Sequence, residues 1–283
     1  MSAPSLQGLK PAILVISSSV VRGAVGGRGA AFALERLGHP VWSAQTVTLP
    51  WHPGHGRAGR IVPDAADFEG LIDDLIRAPW LAEVGAVLTG YMGAPSQPAV
   101  VARLVDAVKA ARPDALYLCD PVMGDGGRLY VPEATAEGIR DHLVARADIV
   151  SPNPTELGFL VGDIGLDGPS AIDALGRLST PRICVTSAAG TEGEITTLLA
   201  SRQTGKAIRA SHAAIGGAIP NGTGDLFAAL FLARLVEGQS DSEALRLVAD
   251  AIGAAKRLGT NELPLAAIQD RLVAPQTMVR IRS

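Results

Sequence analysis

Cysteine is nearly absent from this chain. Two residues, Cys119 and Cys184, stand far apart in apolar stretches of a 283-residue sequence. A disulfide framework needs more of them, and so does a thiolate metal site. The expectation is two buried free thiols in a reducing compartment. Blocks of one charge are also missing: no five basic residues run together, the net charge is −3 and the pI is near 6.0. That argues against nucleic acid or an anionic membrane as a partner. No apolar run is long enough to predict a membrane-spanning helix. The opening stretch, MSAPSLQGLKPA, lacks the apolar region of a signal peptide. Together these absences predict a cytoplasmic protein.

Two nucleotide-binding fingerprints are absent as well. Gly27 and Gly29 are followed by Phe32 where a third glycine of a dinucleotide loop belongs, and no acidic residue ends a following strand. A dinucleotide-dependent oxidoreductase fails on that ground. Gly205-Lys206 has Ala200 in place of the first P-loop glycine and Ala207 in place of the Ser or Thr. His52 and His55 have no carboxylate at metalloprotease spacing, so they read as flap contacts to a substrate or as surface histidines.

What is present is a hydrophobic fraction of 47% and a steady alternation of short apolar runs with helical patterns. Strands are predicted at 12–16, 41–49, 84–89, 116–119, 149–151 and 183–186, with a hairpin over 194–200 and 203–210. Helices are predicted at 30–37, 67–76, 98–111, 132–143, 226–237 and 241–258, with another starting at Glu156. Ser240 and Glu243 form a capping-box pattern before the last of these, and Gly259 ends it. This is the pattern of an α/β fold: a doubly wound, mostly parallel sheet with helices on both faces. No linker divides the chain, so one domain is expected over 1–283, with an irregular Pro-, Gly- and His-rich flap at about 50–60.

In such sheets ligands bind beyond the carboxyl ends of the strands. Ser18, Thr46, Tyr91, Asp120, Asn153, Glu156 and Thr186 each follow an apolar run. A single site along one sheet edge explains them together. The strongest signal is 221–227, NGTGDLF. Gly222 and Gly224 allow a sharp turn, and the apolar helix that follows puts Thr223, Gly224 and Asp225 at its positive end, where free amides can bind an anion. Asp225 among those amides is expected to stay ionised. A Gly-turn with an Asp N-cap explains the motif equally well in isolation. Asp120 and Glu156 suit Mg²⁺, which takes one or two carboxylates plus phosphates and keeps several waters.

The residues at this point resemble a pyridoxal kinase of the ribokinase-like superfamily. The matching stretches are SSVVRGAVG at 18–26, Thr46-Val47, GYMG at 90–93, CDPVMGD at 119–125, ADIVSPNPTE at 147–156, GTGDLF at 222–227, and Glu262-Leu263 with Gln269-Asp270-Arg271. The resemblance implies ATP-dependent phosphorylation of the 5′-hydroxymethyl of pyridoxal, pyridoxine or pyridoxamine, in vitamin B6 salvage. It implies Asp225 as the base and the amides of 222–225 as the oxyanion donors, with Asp120 and Glu156 holding Mg²⁺. Ser151, Asn153, Thr186, Ser187 and Thr223 would lie near the nucleotide. Ser18, Thr46, His52 and Tyr91 would face the vitamer, under the flap. A homodimer is implied, and a monovalent cation requirement is left open. Three departures lie at the substrate end: Ser19 where the family often has His, and Arg22 and His55 where it often has Tyr. Arg22 could attract an anionic substrate group or face water. The alternatives are a hydroxymethylpyrimidine kinase, a sugar or nucleoside kinase of the same superfamily, for which Gly26-Gly27 is a faint echo, and a vitamin- or nucleotide-binding protein without turnover.

Overall fold

A computed structural model describes residues 10–163, 171–188, 194–213, 219–276 and 279–282. The amino-terminal stretch read for a signal peptide lies mostly outside them. Strand β1 (Ala12–Val20) shows how the chain divides its core. Ile13 and Val15 pack with the helices of one face, and Leu14 and Ile16 with those of the other. A strand apolar on both faces can only sit in the middle of a layered structure. The helices α1 (Gly26–Arg36), α7 (Thr223–Val236), α8 (Asp241–Lys256) and α9 (Leu265–Val273) cover the first face. The second is covered by α2 (Ala65–Ile76), α3 (Gln97–Ala111) and α4 (Glu133–Gly138). A smaller cluster joins α5 (Pro154–Val161) and α6 (Ala171–Arg177) to strand β8 (Arg182–Ala188).

The remaining strands are β2 (Val41–Leu49), β3 (Val84–Thr89), β4 (Leu116–Cys119), the small hairpin β5 (Gly124–Asp125) and β6 (Arg128–Leu129), β7 (Ile149–Val150), β9 (Glu194–Ser201), β10 (Lys206–Ala213) and β11 (Arg280–Arg282). Among the described residues the main sheet has nine strands, ordered β11-β10-β9-β8-β7-β4-β3-β1-β2. Strands β2 to β8 in that order run parallel, and β9, β10 and β11 form an antiparallel edge. The winding reverses at β1, which has β2 on one side and β3 on the other. That reversal opens a crevice at the carboxyl ends. Among the described residues no helix is long and apolar enough to cross a membrane, and both cysteines are free and buried.

Several expectations change in detail. The helix expected over 132–143 is α4 followed by a widened π turn at Ile139–Leu143. The flap, expected to be wholly irregular, holds one 3-10 turn, Pro53–His55. The box at α8 is half formed: Ser240 accepts from the Glu243 amide, but the Glu243 carboxylate turns to Arg246. Helices α6 and α9 and strand β11 were not anticipated. They are short: α9 buries Leu265, Ile268 and Leu272 at helical spacing, and α6 buries Ala171, Ala174 and Leu175.

Candidate active site

A row of backbone hydrogen bonds runs across the carboxyl ends of the parallel strands. Gly90 N–H donates to Ile16 O (2.9 Å), Asp120 N–H to Thr89 O (2.8 Å), Ser151 N–H to Cys119 O (3.1 Å) and Thr186 N–H to Pro152 O (3.0 Å). Parallel pairing therefore lines these residues up along one edge. At β1 the register slips, so that Thr46 and Val47 of β2 stand opposite Ser18 alone. A bulge of this kind re-aims a side chain at the sheet rim. It is the reason Ser18 and Thr46-Val47 meet.

Asp225 enters this edge from helix α7. Eight consecutive residues, Leu226 to Ala233, are buried, because α7 is wedged between α1, α8 and the sheet. The loop before it is held equally closely. Gly222 has φ +88°, and a Cβ there would stand 2.9 Å from Val25 Cγ1 and 3.1 Å from Leu263 Cδ1. Only glycine fits both the conformation and the gap. At Gly224 a Cβ would meet nothing within 4 Å. The amides of Thr223 and Gly224 have no backbone acceptor among the described residues, so they remain available to an anion.

Gly26 N–H donates to Asp225 Oδ2 at 2.8 Å. Burial pushes the Asp225 carboxyl up to about 6, against the opposing pull of the Gly26 amide and of its own amide. The expected ionised state survives at neutral pH, but desolvation rather than the helix end sets the balance. Asp120 lies deeper. Its Oδ1 accepts from Ser151 Oγ at 3.0 Å, while burial and then the Asp225 charge hold it well above the ordinary carboxylate range. Glu156 is raised too, by burial and then by Asp120. Its Oε1 accepts from Met123 N–H (3.1 Å) and its Oε2 from Asn153 N–H (2.9 Å).

Asn153 and Glu156 thus form a complete capping box at α5. Asn153 returns Oδ1 to the Glu156 amide and gives Nδ2 to Gly124 O at 2.8 Å. Both side chains act first as carpentry of the edge. Among the described residues no basic side chain is ion-paired with Asp120, Glu156 or Asp225. Raised carboxylates without a counter-charge are a fitting environment for a divalent cation. Among the same residues no group of three or more His, Cys, Asp or Glu is arranged to hold a metal unaided. That fits Mg²⁺ shared with phosphates. Asp120 has the open oxygen, Oδ2, whereas both oxygens of Glu156 are occupied, which leaves it contact through water.

The substrate end differs more from expectation. Thr46 is fully buried, and its hydroxyl donates to Tyr91 O at 2.6 Å. Gln97, which the sequence reading missed, locks the same corner: Nε2 donates to Thr46 O (2.9 Å) and Oε1 accepts from Gly93 N–H (2.7 Å). Its position just before the helical Pro98 was the only signal. Ser18 is buried against Gly26. His52 caps the 3-10 turn by accepting from Gly54 N–H, and burial first, then His55, pull its pKa down. The Tyr91 hydroxyl accepts from Arg60 of the flap at 3.5 Å. Arg22 is largely exposed to water, and it also donates to Glu262 Oε1 at 2.8 Å. Ser17, also missed, has a buried hydroxyl with no partner. With Gly26, Gly90, Asp120 and Asp225 it lines a space of about 10 Å³, the room one water needs.

Thr186 and Ser187 close the edge at β8, where its register with β9 shifts. Ser187, at φ +52°, is the one non-glycine in the left-handed region among the described residues. Such strain costs about 1–3 kcal/mol.

The comparisons with known proteins bear on this arrangement directly. The phosphomethylpyrimidine kinase family model matches residues 72–266. Pyridoxal kinase PdxY of Rubrobacter xylanophilus is 38% identical over 283 residues, covering 95% of this chain and 96% of its own. The chain belongs to the pyridoxal kinase family. Pyridoxal kinase PdxY of Corynebacterium diphtheriae is 32% identical over 85% of this chain and 86% of its own. Among solved structures, the pyridoxal kinase of Leishmania donovani in complex with ADP and pyridoxamine superposes with a TM-score of 0.86 at 29% identity, covering 96% of this chain and 98% of its own. Membership in this kinase family makes the chain an enzyme of the ribokinase-like fold.

Proposed function

We propose that this chain transfers the γ-phosphoryl group of ATP to the 5′-hydroxymethyl group of pyridoxal, pyridoxine or pyridoxamine. The observation that carries the reading is Asp225. Its Oδ2 is held by Gly26, and its Oδ1 faces the gap that Gly90 leaves open, 4.0 Å from where a Gly90 Cβ would stand. One oxygen is positioned and the other is available. Asp225 Oδ1 takes the proton of the hydroxymethyl group as its oxygen attacks the γ-phosphorus, and the bond from that phosphorus to the β,γ-bridging oxygen breaks so that ADP leaves. The open amides of Thr223 and Gly224 stabilise charge on the transferring group, where catalysis of phosphoryl transfer mainly arises. Asp225 later releases its proton to solvent, to which it is not sealed.

Asp120, and through water Glu156, would hold Mg²⁺. When bound, it neutralises charge on the nucleotide's phosphates. Ser151 keeps Asp120 oriented, and Asn153 keeps the edge in shape. Thr186 and the strained Ser187 are assigned to the nucleotide side. Ser18 and Tyr91 are assigned to the vitamer, with Thr46 bracing Tyr91 and His52 shaping the flap. The protein is read as one ribokinase-like domain with its flap, a cytoplasmic homodimer.

The test is ATP consumption with Mg²⁺ against the three vitamers and hydroxymethylpyrimidine, with product masses. Preference for the vitamers supports the proposal. Preference for the pyrimidine supports the second reading, phosphorylation of a thiamin precursor, which the matched family model favours.

A further inference from the structure

The flap has no buried residue to anchor it. Every residue from Pro53 to Ile61 is exposed, although the His55 side chain itself is partly covered, and Pro50, Trp51 and His52 are only half-buried. Its base is tied by a pair of backbone bonds, Thr48 N–H to Ile61 O and Ile61 N–H to Thr48 O. Beyond that base, its tip reaches the body of the protein at Glu262. His55 Nε2 lies 2.8 Å from Glu262 Oε1, and Arg22 Nη1 donates to the same oxygen at 2.8 Å.

Arg22 comes from the loop after β1, and that loop is itself stitched to the foot of the flap by Val21 N–H to Leu49 O and Arg22 N–H to Pro50 O. Gly23, at φ +96°, makes room for the carboxylate: a Cβ there would stand 2.3 Å from Glu262 Oε2. The backbone of Glu262 bridges Asn221, the residue before the anion loop. One carboxylate therefore joins three segments that only the fold brings together.

We propose that Glu262 is a positioning residue whose side chain latches the flap over the acceptor pocket, through His55 and with Arg22 as brace. The proposal rests on the kinase reading for its catalytic consequence, but not for its structural one. The bridge to Asn221 is made by backbone, so a side-chain change at Glu262 frees the flap and leaves the anion loop in place. The latch is one or two contacts at a partly covered carboxylate, and single contacts of this kind are individually weak, so the expected effects are moderate and specific.

The test uses Glu262→Gln, His55→Ala and their double variant in the full-length protein. Arg57 and Arg60 lie in the flap, so trypsin cleavage after them, followed by mass, reads latch opening without any turnover. Each single variant is expected to be cut there about three- to tenfold faster. KM for the vitamer should rise by a similar factor, ATP hydrolysis without acceptor should increase, and KM for ATP should stay within twofold. The double variant should be no worse than the more severe single. Wild-type cleavage rates in both singles overturn the proposal. So do additive losses in the double, or a rise in both KM values alike, which would mark a general structural role. If Glu262→Gln does not fold, His55→Ala decides alone by the same readouts. Faster cleavage in a protein that phosphorylates no vitamer supports the latch and refutes the proposed function.

Discussion

Replacing Asp225 by Asn separates a base from a helix cap. Asn keeps the shape of the side chain and an oxygen that can accept the Gly26 amide, 2.8 Å away in the native protein. It removes the carboxylate's charge and its capacity to take a proton. Positioned general bases contribute about 10²–10⁴-fold, so kcat should fall by at least two orders of magnitude while ATP affinity changes only a few-fold. Stability should move the other way. The Asp225 carboxyl is raised from 3.8 to about 6 by burial, and each unit corresponds to about 1.4 kcal/mol. With a discount for its partly open face, the charged form costs the fold about 1–3 kcal/mol. An acid whose folded pKa is raised contributes stability below its unfolded pKa and loses that contribution as pH rises through the folded value. The Asn variant should therefore unfold in urea at a higher midpoint than wild type at pH 7.5, and without that advantage at pH 4. Turnover within tenfold of wild type would refute the base assignment. Loss of activity together with lower stability at pH 7.5 would return Asp225 to the role of a cap.

Further outcomes follow from the same geometry. The acid limb of kcat/KM should bend near pH 6, falling tenfold per unit below it as the Asp225 carboxylate is protonated, and the Asn variant should lack that limb. Gly222→Ala should cost about 1–3 kcal/mol in urea unfolding, because both φ and the gap beside Val25 and Leu263 exclude a methyl. Gly224→Ala should leave stability within about 1 kcal/mol, since nothing stands near its Cβ, yet raise KM for ATP. Mg²⁺ with a nucleotide should raise Tm more at pH 8 than at pH 6, because the Asp120 carboxyl, pushed up to about 8 by burial, is ionised in more molecules there. Asp120→Asn should remove most of that difference.

The sequence by itself determined the layer plan and which polar residues gather at one edge. Strands apolar on both faces, alternating with helices, leave no stable arrangement but a covered parallel sheet. A Gly-Thr-Gly-Asp turn entering a wholly apolar helix has to present amides and a carboxylate at the same end. Those signals are local in the chain, and so Asp225, Gly222 and Asp120 were legible. The tertiary structure decided what depends on distant segments meeting. Glu156 was readable as an acid after a strand, but only the fold shows both of its oxygens taken by amides. Thr46 was readable as a pocket residue, but its hydroxyl is spent on Tyr91, 45 positions away. Gln97 and Ser17 carry no motif of their own, and Glu262, though part of a matching stretch, shows no role there, because their partners come from other segments. Even the ionisation of Asp225 followed this division: the helix end could be read from the sequence, while the burial that outweighs it arises only once α7 is packed against its neighbours.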